Sequence, residues 1–386
     1  MHLTDFDPPT FLRDHWQKTP LLIRNPWDAW RNPVEPDELA GLACEPHVGS
    51  RLVTGDGAEG GALALEHGPM PTDRFDALGT APWALLVQAV DHYVPAVADL
   101  IEAFRFIPNW RIDDVMVSYA TDKGGVGAHY DQYDVFLIQG LGRRRWELGG
   151  MCDGDTPLLP HDDLRLLAAF EARQDYVLEP GDILYVPPGI AHRGTAIGHD
   201  CMTYSVGFRA PSAVELVEGW SDAVLDTMID DDADRYGDSG LVIQANPGEI
   251  SGEALSRLHG MVAAKLADRD AFARWFGTYA TAPKNDTIDW RPDTAISAEE
   301  VAAALEGGTA LVRNPASRFA FVRQPDDSVL LSVDGEATAC CGAAATFAEA
   351  LCASPRIEVN RDDITHQPVQ SLVRDLVNRG CIAFEE

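Results

Sequence analysis

Residues 124–136, GGVGAHYDQYDVF, decide the reading of this chain. His129 and Asp131 stand two apart, just ahead of a run that alternates towards β-structure with Val135, Leu137 and Gln139 on the same parity. In extended chain, residues i and i+2 share a face, so an imidazole and a carboxylate lie side by side. A second histidine, His192, closes the phrase GDILYVPPGIAH. Two histidines and one carboxylate on one face, with positions left open, are the donor set of a non-haem ferrous centre. A lone His-x-Asp says little. Here the triplet and the distal histidine each follow their own Gly- or Pro-punctuated strand phrase. His161 and His199 are the alternatives for the distal ligand. His161 falls in an expected insert and His199 lacks the strand phrase, so His192 is preferred.

Around this stretch, from Arg111 to Phe208, short strands are cut by Gly and Pro. The pattern predicts DVMVSYA as a strand, GGVGAH as a flexible approach to the metal strand, a turn at Gly140-Leu141-Gly142, and a strand RRRWEL. A turn at Glu179–Asp182, a strand ILYVPP that ends in His192, and a last strand MTYSVGF follow. Many short strands with regular turns argue a barrel or sandwich. With ligands pointing inward, the expected core is mainly β with helices (α+β), a double-stranded β-helix or cupin jelly roll. Thr156–Arg173 reads as a helical insert outside it.

Upstream, FLRDHWQKTPLLIR joins an amphipathic helix to a short strand, and Asp37–Cys44 reads as a helix after Pro36. Arg51–Pro71 is Gly-rich and predicts loops, Ala84–Gln88 a strand. Val97, Leu100, Ile101 and Phe104 mark the apolar face of a helix. His15, His47, His67 and His92 show no ligand spacing and read as structural or exposed.

Downstream of Pro211 the chain turns helical. Ser212 and Glu215 form a capping box, and Leu255, Leu258, Val262 and Leu266 make a second apolar stripe. The stripe is either a dimer interface or a face packed on its own barrel. Asp230–Asp232 reads as a solvated helix end or loop. The tail has a helix capped by Ser297 with Glu300, a hairpin around Pro325-Asp326-Asp327, and a helix through Val369–Val377 stopped by Gly380. This outlines a winged helix without a basic face, which argues against DNA binding. The expected division is 1–210, 211–290 and 291–386.

The chain has 386 residues, 46% apolar and 24% charged, ordinary for a globular protein with a large core. No apolar run reaches membrane-span length and no signal peptide opens the sequence. Seven cysteines, odd in number and without C-x-x-C spacing, predict reduced thiols in a cytoplasm. The formal charge of −31 repels nucleic acid phosphate. It suits general solubility, and equally a basic protein partner.

Iron is favoured over zinc because no Cys stands near the two imidazoles and the carboxylate, although manganese or nickel also accepts such a set. A ferrous oxygenase of this type needs an electron donor, commonly 2-oxoglutarate, whose distal carboxylate calls for a cation. Within Arg143-Arg144-Arg145, Arg144 shares parity with Trp146 and Leu148, the inward side, and is the expected bidentate anchor. Ser118 and Ser205 are hydroxyl partners for the same carboxylate.

FLRDHWQKTPLLIR, GGVGAHYDQYDVFLIQGLGRRRWEL and PGDILYVPPGIAH followed by YSVGFRAP resemble the bacterial ribosomal oxygenases among the JmjC-type 2-oxoglutarate oxygenases. The resemblance implies Fe(II) held by His129, Asp131 and His192, and 2-oxoglutarate on Arg144 with O2 as second cosubstrate. It further implies hydroxylation of an arginine side chain of large ribosomal subunit protein sixteen, yielding succinate and CO2. It also implies a helical dimerisation segment and a homodimer. An arginine substrate makes Asp114 and Tyr133 candidates for gripping its guanidinium, whereas Asp134 reads equally as a turn residue. The competing readings are a JmjC-type demethylase and a metal- or ligand-sensing cupin regulator without turnover.

Overall fold

The computed structural model describes residues 2–56, 63–79, 81–161, 163–228, 235–285, 287–359 and 366–385. The acidic run Asp230–Asp232 lies outside the described residues. The chain divides into two compact units. One holds residues 1–210 with 284–289 and 314–316, and the other holds 211–283, 290–313 and 317–386. Among the described residues no helix is long and apolar enough to cross a membrane.

In the first unit the elements are α1 (Pro8–Asp14), β1 (Leu21–Ile23), α2 (Pro36–Cys44), β2 (Ser50–Thr54), β3 (Ala64–His67), β4 (Trp83–Val87) and α3 (Pro95–Ala98). They continue with β5 (Ile112–Ala120), β6 (Asp134–Met151), β7 (Gln174–Leu178), β8 (Ile183–Val186) and β9 (Ile190–Phe208). The strands make one antiparallel sheet in the order β1-β8-β6-β9-β5-β4-β2-β3, with β7 on the second half of β6. This is the jelly roll expected, built on two very long strands.

The long strands correct three expectations. Gly140-Leu141-Gly142 is not a chain reversal. Gly142 adopts φ +59° and the β6–β9 register shifts on either side of Leu141, so the glycines bulge a continuous strand. His192 does not end the ILYV strand. Pro187-Pro188-Gly189 breaks that strand, and the histidine sits third in β9. The glycines of GGVGAH serve close approach and not flexibility. A Cβ on Gly124 would lie 2.2 Å from the Trp83 carbonyl oxygen, and one on Gly125 would lie 2.4 Å from that of Gly194.

Three further expectations differ. The Gly-rich stretch 51–71 contains the β2–β3 hairpin, whose Leu52 and Val53 are buried. The expected helix over 97–104 splits into α3 and a 3-10 turn, Ile101–Phe104. Its apolar face survives because i, i+3 spacing serves both helix types. The described residues of 156–173 contain no helix. They form an irregular excursion with an isolated Leu158–Leu167 bridge.

The alternation of β6 separates core from site. Phe136 and Ile138 enter an aromatic core with Phe11, Phe104, Tyr185 and Phe208, whose Phe104 and Phe136 ring centroids lie 4.5 Å apart. Val135 and Leu137 face the other way, with Trp146 and Leu148. The strand start is pinned by Asp134, fully buried. Its carboxylate accepts from Tyr185 Oη (2.6 Å), Gln17 Nε2 (3.0 Å) and Arg111 Nη2 (3.1 Å). A charge so fully paired in an apolar setting fixes geometry. Asp134 is a structural residue.

In the second unit lie α4 (Ala213–Thr227), α5 (Gly252–Leu266), α6 (Arg269–Thr281), α7 (Ala298–Glu306), β10 (Leu311–Arg313), β11 (Phe319–Arg323), β12 (Val329–Val333) and β13 (Glu336–Cys340). α8 (Ala343–Ala353), β14 (Arg356–Ile357), the helix Gln367–Asn378 (α9) and β15 (Ile382–Phe384) complete it. Both predicted capping boxes form, Ser212 with Glu215 and Ser297 with Glu300. α6 packs so tightly on β12 that a Cβ on Gly277 would come 2.3 Å from Ser332 Oγ. Helices α7, α8 and α9 with the β11–β12–β13 sheet give the winged-helix arrangement read from the sequence.

Candidate active site

The site begins where extended chain crosses β9. Residues 129–133 precede β6, yet the parity set by that strand holds through them: His129, Asp131, Tyr133, Val135 and Leu137 all line one cavity of about 360 Å³. Main-chain bridging between His129 and His192 draws the distal histidine alongside. The Gly189 amide donates to the Asp131 carbonyl at 2.7 Å, holding the loop on the far side. One ligand atom each from His129, Asp131 and His192 lies within 4.8 Å of the others.

Both imidazoles are oriented from behind. His129 Nδ1 lies 3.1 Å from the Gly127 carbonyl and His192 Nδ1 lies 2.9 Å from that of Ile190. A carbonyl only accepts, so each Nδ1 carries the proton and each Nε2 lone pair is left for a metal. Burial, and then the neighbouring His129, push His192 down to about 4 against the pull of Asp131, which keeps its ring neutral. Two imidazoles that present Nε2 and a carboxylate fit a divalent ion of the iron, cobalt or manganese kind.

Arg144 lies in the same cavity, 5% exposed. The bulge at Gly142 changes the parity of β6, which puts Arg144, Trp146 and Leu148 on the face of Val135 and Leu137. Its Nε meets only the Cys201 thiol at 3.4 Å, and its Nη2 has no hydrogen-bond partner among the described residues. A buried guanidinium without a carboxylate is costly unless an anion completes it. Ser118 and Ser205 line the same cavity, although Ser118 Oγ already reaches the Thr203 carbonyl at 3.5 Å. Arg143 and Arg145 face outward, Arg145 pairing with Asp175.

At the mouth, Asp113 and Asp114 sit in a β5 bulge, where the register shifts between Ile112 and Val115. Asp114 Oδ2 accepts from the Ala89 amide at 2.9 Å and pairs with Lys284 Nζ at 2.8 Å. Tyr133, 44% exposed, lines the same cavity two residues on from Asp131. The excursion 156–173, expected outside the barrel, supplies a wall through Leu164, Arg165 and Leu166. Nothing in its periodicity pointed there. His161 is its pin: Nδ1 accepts from the Asp163 and Leu164 amides (3.1 and 3.0 Å). His199 is exposed, and neither histidine joins the ligand cluster. Trp146 also escaped the sequence reading as a site residue: it lines the cavity with its ring 5.9 Å from His192.

Residues 99–216 match the JmjC domain family, and residues 264–383 match the ROXA-like winged helix family. The ribosomal protein uL16 3-hydroxylase of Escherichia coli is 41% identical over 305 residues, 79% of each chain. This chain is a member of the JmjC-domain ribosomal oxygenases. A probable ribosomal oxygenase of Haemophilus influenzae is 37% identical over 71% of this chain and 67% of its own. Among solved structures, an E. coli ribosomal oxygenase in complex with cobalt and 2-oxoglutarate superposes with a TM-score of 0.86, at 35% identity over the whole of both chains. The fold of this ribosomal oxygenase is therefore the JmjC cupin with a C-terminal winged helix.

Proposed function

We propose that this ribosomal oxygenase is an Fe(II)- and 2-oxoglutarate-dependent dioxygenase that hydroxylates an arginine side chain of the large-subunit ribosomal protein uL16. The observation that carries the reading is the buried, incompletely partnered Arg144 guanidinium in the same cavity as the His129–Asp131–His192 triad. A metal on the triad and a dicarboxylate reaching Arg144 would complete both. The cobalt and 2-oxoglutarate bound by the E. coli relative support the pairing.

In this reading His129 Nε2, Asp131 and His192 Nε2 hold the metal. Arg144 takes the distal carboxylate of 2-oxoglutarate, helped by Ser118 and Ser205. Metal and keto acid together supply oxygen activation, with succinate and CO2 as by-products. The chain's own task is positioning. Leu86, Leu164 and Leu166 exclude water from the cavity. Asp114 turns one carboxylate oxygen to the substrate guanidinium, and Tyr133 flanks it at the rim. The net charge of −31 favours encounter with a basic protein.

Residues 211–290 are read as the dimerisation segment of a homodimer. Val214 and Val217 on α4, with Leu255 and Val262 on α5, are 60–73% exposed, apolar side chains on two packed helices that a second copy would cover. The chain is placed in the cytoplasm, where its substrate is made.

The test is succinate release from 2-oxoglutarate by iron-loaded protein, with and without purified uL16. Stimulation by uL16 is expected. Iron-dependent release that uL16 leaves unchanged would reject the substrate, and no release under any condition would reject the oxygenase.

A further inference from the structure

Three carboxylates, Asp91, Asp113 and Asp114, meet two cations, Lys284 and Arg209, beside the cavity mouth. Lys284 Nζ lies 2.8 Å from both Asp113 Oδ2 and Asp114 Oδ2, and Arg209 Nε lies 3.2 Å from Asp113 Oδ1. Asp91 Oδ1 is taken by the Val115 amide at 2.8 Å. Asp114 accepts from the Ala89 amide and pairs with Lys284 through the same oxygen, Oδ2. Asp114 is itself one of the residues that line the cavity.

Lys284 does not line the cavity, so it holds the carboxylate from behind. It comes from residues 284–289, far along the chain, which belong to the first unit. That segment is anchored independently of the carboxylates: Asn285 Nδ2 donates to the His47 carbonyl at 3.2 Å and also bonds the Tyr93 hydroxyl. The ammonium is thus delivered at a fixed point, not on a free side chain searching for an anion.

We propose that Lys284 is a positioning residue for substrate binding, which holds the Asp114 carboxylate by its Oδ2 so that it can receive the incoming guanidinium. The proposal rests on Asp114 receiving the substrate cation, as argued above. Its physical content is that a buried carboxylate needs a reason to stay charged. Burial raises Asp114, the charge of Asp113 raises it further, and Lys284 is the largest opposing influence. Burial alone would push Lys284 down, but Asp114 and Asp113 outweigh it and hold the ammonium above its ordinary value. Without Lys284, the groups left around Asp114 are Asp113, Asp91, Tyr133, Arg51 across the cavity and Arg209 on Asp113. The carboxyl is then raised further and is a poorer acceptor for a cation.

The test compares wild type with Lys284→Met and Lys284→Arg on purified uL16. For Lys284→Met the KM for uL16 should rise about tenfold at the acid end of the activity range, where a charged partner is lost. The defect should shrink as pH rises, because a buried carboxyl that has lost its ammonium ionises later than in wild type. The kcat and the KM for 2-oxoglutarate should stay near wild type, and Lys284→Arg should restore the KM. A defect in kcat instead, a KM effect independent of pH, or failure of the arginine variant to rescue would overturn the proposal. A background of Asp114→Asn should make Lys284→Met silent, and additive effects would also overturn it. Should wild type not turn over uL16, the substrate reading fails by itself. The positioning claim is then decided by the crystal structure of Lys284→Met. It predicts that the Asp114 carboxylate leaves the Ala89 amide, and an unmoved carboxylate contradicts it.

Discussion

His129 and His192 exchange both main-chain hydrogen bonds, His129 N to His192 O at 3.0 Å and the reverse at 2.8 Å, which sets their rings 4.3 Å apart. Backbone pairing, not the metal, brings the two imidazoles together. The site is therefore preorganised, and loss of a ligand side chain leaves the scaffold standing.

Asp131→Ala should accordingly unfold at the wild-type temperature when both are metal-free, since the loop is held through the Asp131 carbonyl and not its side chain. Wild type should gain about 2.7 kcal/mol at a hundredfold excess of Co(II) over its dissociation constant, and the variant nothing. Calorimetry with and without the ion measures both. An unaltered metal response in Asp131→Ala would remove the aspartate from the ligand set.

Arg144→Met should separate stability from function. The variant loses a buried guanidinium whose Nη2 is unpaired and keeps the stem that packs near Trp146. The free protein should be as stable or more so, by roughly 1 kcal/mol, while 2-oxoglutarate affinity falls by about 2–3 kcal/mol. Denaturant unfolding and titration calorimetry give the two numbers. A destabilised variant with normal 2-oxoglutarate binding would make Arg144 structural.

Asp91 predicts a pH dependence of stability. Burial, and next the charge of Asp114, raise its carboxyl from 3.8 to about 7. A carboxyl raised in the folded state binds more protons folded than unfolded between those values. Stability from this group is therefore full in acid and lost as pH climbs through about 7, by at most about 4 kcal/mol. Asp91→Asn keeps an acceptor for the Val115 amide and should flatten the slope. Urea unfolding near pH 5 and near pH 7 tests it, and equal slopes for both proteins would refute the assignment.

The apolar faces of α4 and α5 predict oligomeric behaviour. Val217→Asp and Val262→Asp change side chains that are 64% and 62% exposed, so the monomer should fold normally. Each should lower the sedimenting mass from dimer to monomer. Dimers that survive both substitutions would place the interface elsewhere.

Much of this was legible because the period of a strand is short and strict. The parity running from His129 through Leu137 survives from sequence to cavity, and so does the pair of capping boxes. Arg144 was read correctly as inward, but its relation to Asp131 depends on the bulge at Gly142. A Gly-x-Gly reads as a turn unless the partner strand is known. The wall from Leu164 to Leu166 was illegible because an irregular excursion has no period to read. Lys284 was illegible for a different reason: its partners lie 170 and 171 positions earlier. Only the fold brings such groups together.

The central claim is most directly tested by intact-mass and fragment spectra of uL16 after incubation with Fe(II), 2-oxoglutarate and this protein. The account predicts a gain of one oxygen on an arginine, absent with Asp131→Ala. An unmodified uL16, or an oxygen carried on another residue type, would contradict it.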